Sequence, residues 1–335
     1  MLNIGIIGYG YWGVNLVRNF NSQDSCNVSK VADNRQDRLA LLQKNYPEIR
    51  AVNQGEAIIN DPNIDAVVIA TPVYTHHGLA KAALLNGKHV MIEKPMAAST
   101  AEAEELLNLA EQKNLVLMVD HTFLYTGAVQ KIRELIDGNA IGKPRYFDST
   151  RINLGLFQPD INVLWDLAPH DISILSFLIA ERPYSINATG ISHTRNGIEN
   201  IGYLTVNYEH DFIAHFNCSW TSPVKIRQTL IGGDSKMIVY NDLEASEKVR
   251  VYDTSYSHIT EQDKFNIRVD YRMGDVLIPK ISNREALAGV AEDFINSILE
   301  NRIPISNAKL GLEVVKILEA SQESIKHQGK EVLIK

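Results

Sequence analysis

At 335 residues, with 45% hydrophobic and 22% charged side chains, the chain is long enough for about two ordinary globular domains, which excludes disordered, fibrous and disulfide-stapled classes. Thirty-three Lys plus Arg against forty Asp plus Glu leave a net charge of −7, a balance that gives no general attraction to phosphate backbones or anionic lipid and argues against nucleic-acid and membrane partners. Cys26 and Cys218 stand far apart without CxxC or Cys/His ligand spacing, so neither a metal site nor a disulfide framework is expected and a reducing cytoplasm is.

The first residues, MLNIGIIGYGYWG, open directly on an apolar strand, with no basic leader and no small-residue cleavage site. No run of 18 apolar residues follows anywhere, so no spanning helix is expected. Strand-like runs at 4–7, 28–32, 66–70, 89–92 and 116–119 alternate with amphipathic stretches such as 78–86 and 101–114. Ser99 and Glu102 form a capping-box pair at the start of the second stretch. Alternation of this kind predicts right-handed βα crossovers and a doubly wound parallel sheet.

Gly8, Gly10 and Gly13 space a GxGxxG between the first strand and its helix. The first glycine permits the tight turn, the second lets a pyrophosphate approach the backbone, and the third packs helix on strand, with helix N–H groups facing the phosphates. Tyr11 and Trp12 lie within this turn. Asp33 ends the second strand twenty residues after Gly13, where its carboxylate can accept both ribose hydroxyls of NAD and repel a 2′-phosphate; NAD is therefore favoured over NADP. Asn34 is a further cofactor candidate, and Arg35 or Arg38 can turn inward to meet a 2′-phosphate. Two more strand ends, at Thr71-Pro72 and Glu93-Lys94-Pro95, fall where open α/β sheets bind ligands. A lysine directly after the apolar run 90–92 is best placed pointing into a polar cleft.

From Lys143 the pattern changes to strand formers separated by turns: 145–151, 186–194, 203–208, 212–220, 226–231, 237–240 and 248–252. These predict antiparallel pairing. Residues 254–283 read as a polar loop with strand-like fragments, and Ala308 begins a final helix that packs back on the body. The chain divides at 1–121 and 122–335, with the change of grammar between 121 and 143.

With GYGYWG, TPVYTH (71–76) and EKP (93–95) at these spacings, the chain resembles the glucose–fructose oxidoreductase, inositol dehydrogenase and MocA family over nearly its whole length. The resemblance implies an NAD(P)-binding Rossmann domain followed by an α+β substrate-binding and oligomerisation domain with a large, open, mostly antiparallel sheet. It implies a cis Lys94–Pro95 peptide aiming the lysine at the nicotinamide, and Thr71, Pro72, His76 and Glu93 lining the cofactor. His121, just past a strand end, is a cofactor or substrate candidate.

Asp166 and His170, four apart in WDLAPHD ahead of an apolar helix, share one helical face, where a carboxylate can orient and charge-stabilise an imidazole. The family places its Asp and His at this spacing, whereas Ala168-Pro169 here departs from the usual glycine. Oxidation of a secondary alcohol needs a base for the hydroxyl proton. His170 can supply it; Lys94 can do so if burial and nearby positive charge weaken its hold on a proton, or can polarise the oxygen instead. Arg151, Asn153, Asp160 and Arg227, with Tyr125 and the loop 153–157, are substrate candidates, and Trp165 and Trp220 read as core or interface.

The reading that results is an NAD(P)-dependent sugar dehydrogenase or reductase without a metal. Similarity of LWDLAPHDISIL to enzymes of surface-polysaccharide synthesis points to a ring carbon, such as C3, of a nucleotide-linked sugar. By the same resemblance a homodimer or homotetramer is expected. Two alternatives stand beside it: a redox-neutral enzyme that oxidises, eliminates and reduces again, and a non-catalytic NAD-binding regulator.

Overall fold

The computed structural model describes residues 1–155, 157, 158, 160–253, 255–258, 269–272 and 274–334. They group into two compact units, Met1–Thr126 with Arg284–Lys316, and Gly127–Asn283 with Ile317–Lys335.

In the first unit the alternating apolar runs become strands joined by helices: β1 (Leu2–Ile7), α1 (Tyr11–Asn21), β2 (Cys26–Ala32), α2 (Gln36–Asn45), β3 (Arg50–Val52), α3 (Glu56–Ile59), β4 (Ala66–Ile69), α4 (His76–Leu85), β5 (His89–Glu93), α5 (Thr100–Lys113) and β6 (Leu117–Asp120). The strands form one parallel sheet in the order β3-β2-β1-β4-β5-β6. Every residue of β4 is buried, as expected for a central strand covered on both faces, and β6, at the end of the sheet, is buried throughout as well. Because the strands are parallel, the C-terminal ends of β1, β2, β4, β5 and β6 all open on one edge of the sheet. The expected cap of α5 forms in a shifted version: Ser99 Oγ accepts from the Glu102 amide at 3.3 Å, and the Glu102 carboxylate reaches the Ala98 amide rather than that of Ser99.

The second unit contains α6 (Gly127–Asp137), β7 (Pro144–Leu154), α7 (Val163–Leu178), β8 (Pro183–Ile191), β9 (Ile201–Tyr208), β10 (Ile213–Ser219), β11 (Thr221–Gly233), β12 (Met237–Asn241), β13 (Val249–Tyr252), β14 (Ser255–His258), β15 (Val269–Arg272) and β16 (Val276–Leu277). Nine of its strands form a mixed sheet, β16-β13-β12-β11-β7-β10-β9-β8-β17, in which only β7 and β10 run parallel; β17 is Val332–Leu333. In β7 Phe147, Ser149 and Arg151 are buried while the residues between them are not, the alternation of a sheet with one covered face. Where a loop was expected after residue 254, the backbone forms the β14–β15 hairpin and pairs β16 with β13; residues 259–268 lie outside the described residues.

A single cut at 121 does not describe the chain. After β16 it forms α8 (Ala286–Leu299), which packs Leu287, Val290, Phe294 and Ile295 into the same core as Ile4, Ile6, Leu16 and Phe20. Phe20 and Phe294 meet edge-on at 6.2 Å. Each such buried side chain contributes about 1.5–3 kcal/mol, which is what returns residues 284–316 to the first unit. The expected last helix is α9 (Ala308–Lys326). Among the described residues no helix is long and apolar enough to cross a membrane.

Candidate active site

The turn after β1 is built by two glycines that admit no side chain. Gly8 has φ +100°, and a Cβ there would stand 2.3 Å from the Ala70 carbonyl oxygen; one on Gly13 would stand 2.0 Å from that of Gly8. Gly10 is different. A Cβ there would meet nothing closer than Arg35 Nη2 at 3.8 Å, and Gly10 is the residue from which α1 starts. No side chain caps the start of α1, which leaves its first-turn amides available, the arrangement that fits a pyrophosphate. Tyr11 and Trp12 flank it, 80% and 44% exposed, with their rings edge-to-face at 5.4 Å.

Asp33, at the end of β2, accepts the Tyr9 amide at 2.8 Å on one oxygen and the Arg35 amide and Nε at 2.9 and 3.3 Å on the other. Burial alone would raise its pKa; the Arg35 and Tyr9 amides and the Arg35 guanidinium outweigh it, so the carboxyl is held below its usual value. Its oxygens are thus fixed and ionised at the edge where a ribose would lie. Asn34 is exposed, and Arg38 on α2 lies 3.7 Å from Asp37.

At the ends of β4 and β5, Thr71 Oγ1 is 2.6 Å from Thr75 Oγ1, and Pro72 is exposed. The ring of His76 is buried between two strand ends, with Nε2 2.8 Å from the Thr71 carbonyl and Nδ1 2.9 Å from the Pro95 carbonyl; in the neutral ring one of the two nitrogens donates. Burial, opposed by those two carbonyls, lowers its pKa and favours the neutral ring. The Lys94–Pro95 peptide is cis, as expected.

Glu93 and Asp120 face each other in register on β5 and β6, and both are buried. Glu93 Oε2 accepts the Lys94 amide at 3.1 Å, and Asp120 Oδ1 accepts the Thr122 hydroxyl at 2.7 Å. Burial, reinforced by Asp120 and opposed by the Lys94 charge, pushes the Glu93 carboxyl well up; burial pushes that of Asp120 to about 6. His121 is buried, and neither ring nitrogen has a hydrogen-bond partner among the described residues. Burial, then the Lys94 charge, holds its pKa at about 3, so the ring is neutral. The Lys94 charge therefore acts on three buried groups of the same strand edge. The Tyr125 hydroxyl donates to Asp293 Oδ2 of α8 at 2.7 Å and accepts the Ser306 amide at 3.2 Å, which ties the turn after β6 to α8.

In the second unit Asn162 caps α7, accepting the Trp165 amide at 3.1 Å. The helix runs through Pro169 without a break, losing the one hydrogen bond that proline cannot donate to the Trp165 carbonyl. Asp166 and His170 are consequently one turn apart on one helical face and only partly buried. Asp166 Oδ2 accepts the indole N–H of Trp220 at 3.0 Å, so Trp220, core as expected, also orients the carboxylate. Arg151 is 4% exposed and grips Asp171 through two 2.7 Å hydrogen bonds. Arg227 is turned to Asp242 at 3.2 Å with a third of its side chain exposed. Asn153 is partly buried and Asp160 exposed, while Leu156 of the expected loop lies outside the described residues.

Sequence reasoning passed over Asp120, Asp171 and Asp293. Asp120 alone had a usable signal, an acid closing the all-apolar run 115–119 one residue before His121.

Residues 2–121 match the oxidoreductase family with an NAD-binding Rossmann fold, and residues 129–239 match the GFO/IDH/MocA C-terminal domain. The chain is 27% identical to the UDP-N-acetylglucosamine 3-dehydrogenase of Acidithiobacillus ferrooxidans over 94% of each chain. It is 24% identical to the NADP(+) scyllo-inositol 2-dehydrogenase of Bacillus subtilis over 98% of this chain and 94% of that one. The solved structure of the Acidithiobacillus enzyme superposes with a TM-score of 0.82, covering 97% of this chain and 98% of that one at 23% identity. A glycine turn open to a pyrophosphate, a fixed acid at the end of β2 and an EKP lysine at the end of β5, in a chain whose two halves both match, make it a member of the Gfo/Idh/MocA family of NAD-binding oxidoreductases.

Proposed function

We propose that the protein is an NAD-dependent dehydrogenase or reductase acting on a secondary alcohol or ketone of a sugar, with a ring carbon such as C3 of a nucleotide-linked sugar as the reacting centre. One observation carries the reading: Lys94 leaves the C-terminal end of β5 on the same sheet edge as the Gly8–Gly13 turn and Asp33. The nucleotide-sugar part draws on the relative that matches 94% of both chains and is named for UDP-N-acetylglucosamine.

Bound NAD supplies the acceptor or donor of the hydride. The protein's own task is the proton on the alcohol oxygen, which must leave as the C–H bond breaks, because a protonated carbonyl is too costly to form. His170 is the candidate base, with Asp166 one turn before it on the same face of α7, and Asp166 accepts the Trp220 indole N–H. Lys94 holds positive charge where negative charge develops on the oxygen, or takes the proton itself. The test is incubation with NAD and a panel of UDP-sugars, free sugars and polyols, followed at the NADH absorbance. NADH formed in step with a UDP-hexosamine or its kin is expected. Product without NADH would establish the redox-neutral alternative, and cofactor binding with no turnover on any of them would favour a regulator.

For the choice between cofactors, Asp33 is ionised and Arg35 is tied to it. Asp33→Ser removes the repulsion of a 2′-phosphate and releases Arg35 toward it. Fluorescence titration is expected to show NADH binding weakened about 10- to 100-fold, the worth of hydrogen bonds to a charged group, and NADPH binding strengthened. An unaltered preference would place the adenosine ribose elsewhere.

A further inference from the structure

Two buried carboxyl groups meet at the strand edge that carries Lys94. Glu93 and Asp120 are opposite one another in the β5–β6 register, with Glu93 8% and Asp120 1% exposed. Each already has one oxygen assigned: Glu93 Oε2 to the Lys94 amide and Asp120 Oδ1 to the Thr122 hydroxyl. Asp120 Oδ2 is buried and has no donor among the described residues. Two ionised carboxylates in this position would repel each other and leave that acceptor unsatisfied, a penalty that buried polar groups rarely bear. One proton between them removes both problems, since the acid O–H of one becomes the missing donor to the other.

We propose that Glu93 and Asp120 share a single proton at neutral pH, so that the pair presents one negative charge to Lys94 instead of two and acts as the positioning element for that lysine. The role for Lys94 rests on the function proposed above; the shared proton does not. The upward displacement of both carboxyls, caused first by burial, agrees with the geometry. The other groups bearing on the pair are few. His121 beside Asp120 is held neutral by burial. Tyr125, on the turn after β6, is engaged by Asp293 of α8 and kept un-ionised, burial being the main cause. His76 of α4 is spent on the Thr71 and Pro95 carbonyls. Lys94 is the cation that acts on both acids.

Amide isosteres test this. In Asp120→Asn the new N–H₂ supplies the donor and Glu93 ionises, so the single negative charge survives. In Glu93→Gln the roles reverse. Infrared difference spectra of the cofactor-free protein at neutral pH should show the carbonyl stretch of one protonated buried carboxyl in wild type and its loss in both single variants.

Melting gives a second readout. A carboxyl raised by folding stabilises the fold below its unfolded value and loses that contribution as the pH rises through its folded one, about 6 for Asp120. Between about pH 4 and pH 7 the wild-type melting temperature should therefore fall about 3–5 °C further than that of Asp120→Asn. A protonated-carboxyl band that survives in both variants, or parallel melting profiles, would overturn the proposal. In turnover, Asp120→Asn should cost less than about fivefold, whereas the Glu93→Gln/Asp120→Asn double variant, with no negative charge and two donors face to face, should cost about 100-fold. If the first two readouts hold and the double variant turns over like wild type, the failure belongs to the catalytic role of Lys94 and leaves the shared proton in place.

Discussion

Lys94→Ala is expected to lower kcat/KM about 10³-fold, the middle of the range that a positioned proton-transfer or charge-stabilising group supplies, equivalent to about 4 kcal/mol of transition-state stabilisation. The lysine earns this expectation by position. It follows a strand buried from Val90 to Glu93, its amide is fixed on Glu93 Oε2, and its charge acts on Glu93, Asp120 and His121 together. A flexible surface lysine would act on none of them. Steady-state kinetics on the substrate found by the panel, with NADH titrated in parallel, separates a loss of chemistry from a loss of binding: kcat should carry the effect while the cofactor titration still saturates. Lys94→Arg then distinguishes the two roles left open by the sequence. Arg keeps the charge but cannot give up a proton at any working pH, so it restores much of the rate if Lys94 polarises the oxygen and little if Lys94 takes the proton. Turnover of Lys94→Ala within tenfold of wild type would remove the lysine from the chemistry and leave His170 as the base.

What was legible in the sequence, and what was not, follows from how far apart the causes lie. Five of the six parallel strands and the glycine turn could be read because their signals are local: apolar runs of strand length, and glycines where Gly8 and Gly13 leave no room for a Cβ; β3, three residues with none fully buried, gave no such run. Asp166 and His170 were legible for the same reason, since helical spacing alone puts them on one face. The buried acids were not. An Asp is almost never fully buried unless paired, so Asp120, Asp171 and Asp293 read as surface until their partners are known, and two of those partners are remote: Arg151 reaches Asp171 from 20 residues away and Asp293 serves Tyr125 from 168. The same distance hid the partners of Tyr125 and Arg151, whose polar ends suggested ligands and whose hydrogen bonds to Asp293 and Asp171 lie in the protein. The single-cut domain division failed in a related way. The α8 sequence shows a hydrophobic stripe but not which core the stripe enters, and that core contains Phe20.

The second large effect is on stability. Arg151→Ala is expected to lower the unfolding free energy of the second unit by about 3–5 kcal/mol, the cost of leaving one member of a buried ion pair alone. The pair joins β7 to α7 by two parallel 2.7 Å hydrogen bonds, with side-chain exposures of 4% and 3%. Among the described residues the other groups acting on the guanidinium are Tyr240 and Asp242, and neither supplies a cation to replace it. Urea unfolding followed by tryptophan fluorescence reports on this unit, as Trp165 and Trp220 both belong to it and are buried. A control separates the pair's net worth from the penalty of breaking it. Arg151→Met combined with Asp171→Leu removes both charges, and is expected to cost far less than Arg151→Ala alone, since a buried pair exchanged for apolar side chains is often close to neutral. The double variant also bears on function, for Asp171 adjoins His170 on α7. If the pair's role is to hold that helix turn, kcat falls in the double variant even where stability is recovered. Unfolding of Arg151→Ala within about 1 kcal/mol of wild type would show that water reaches the pair, and the positioning of α7 would then have to come from its apolar contacts alone.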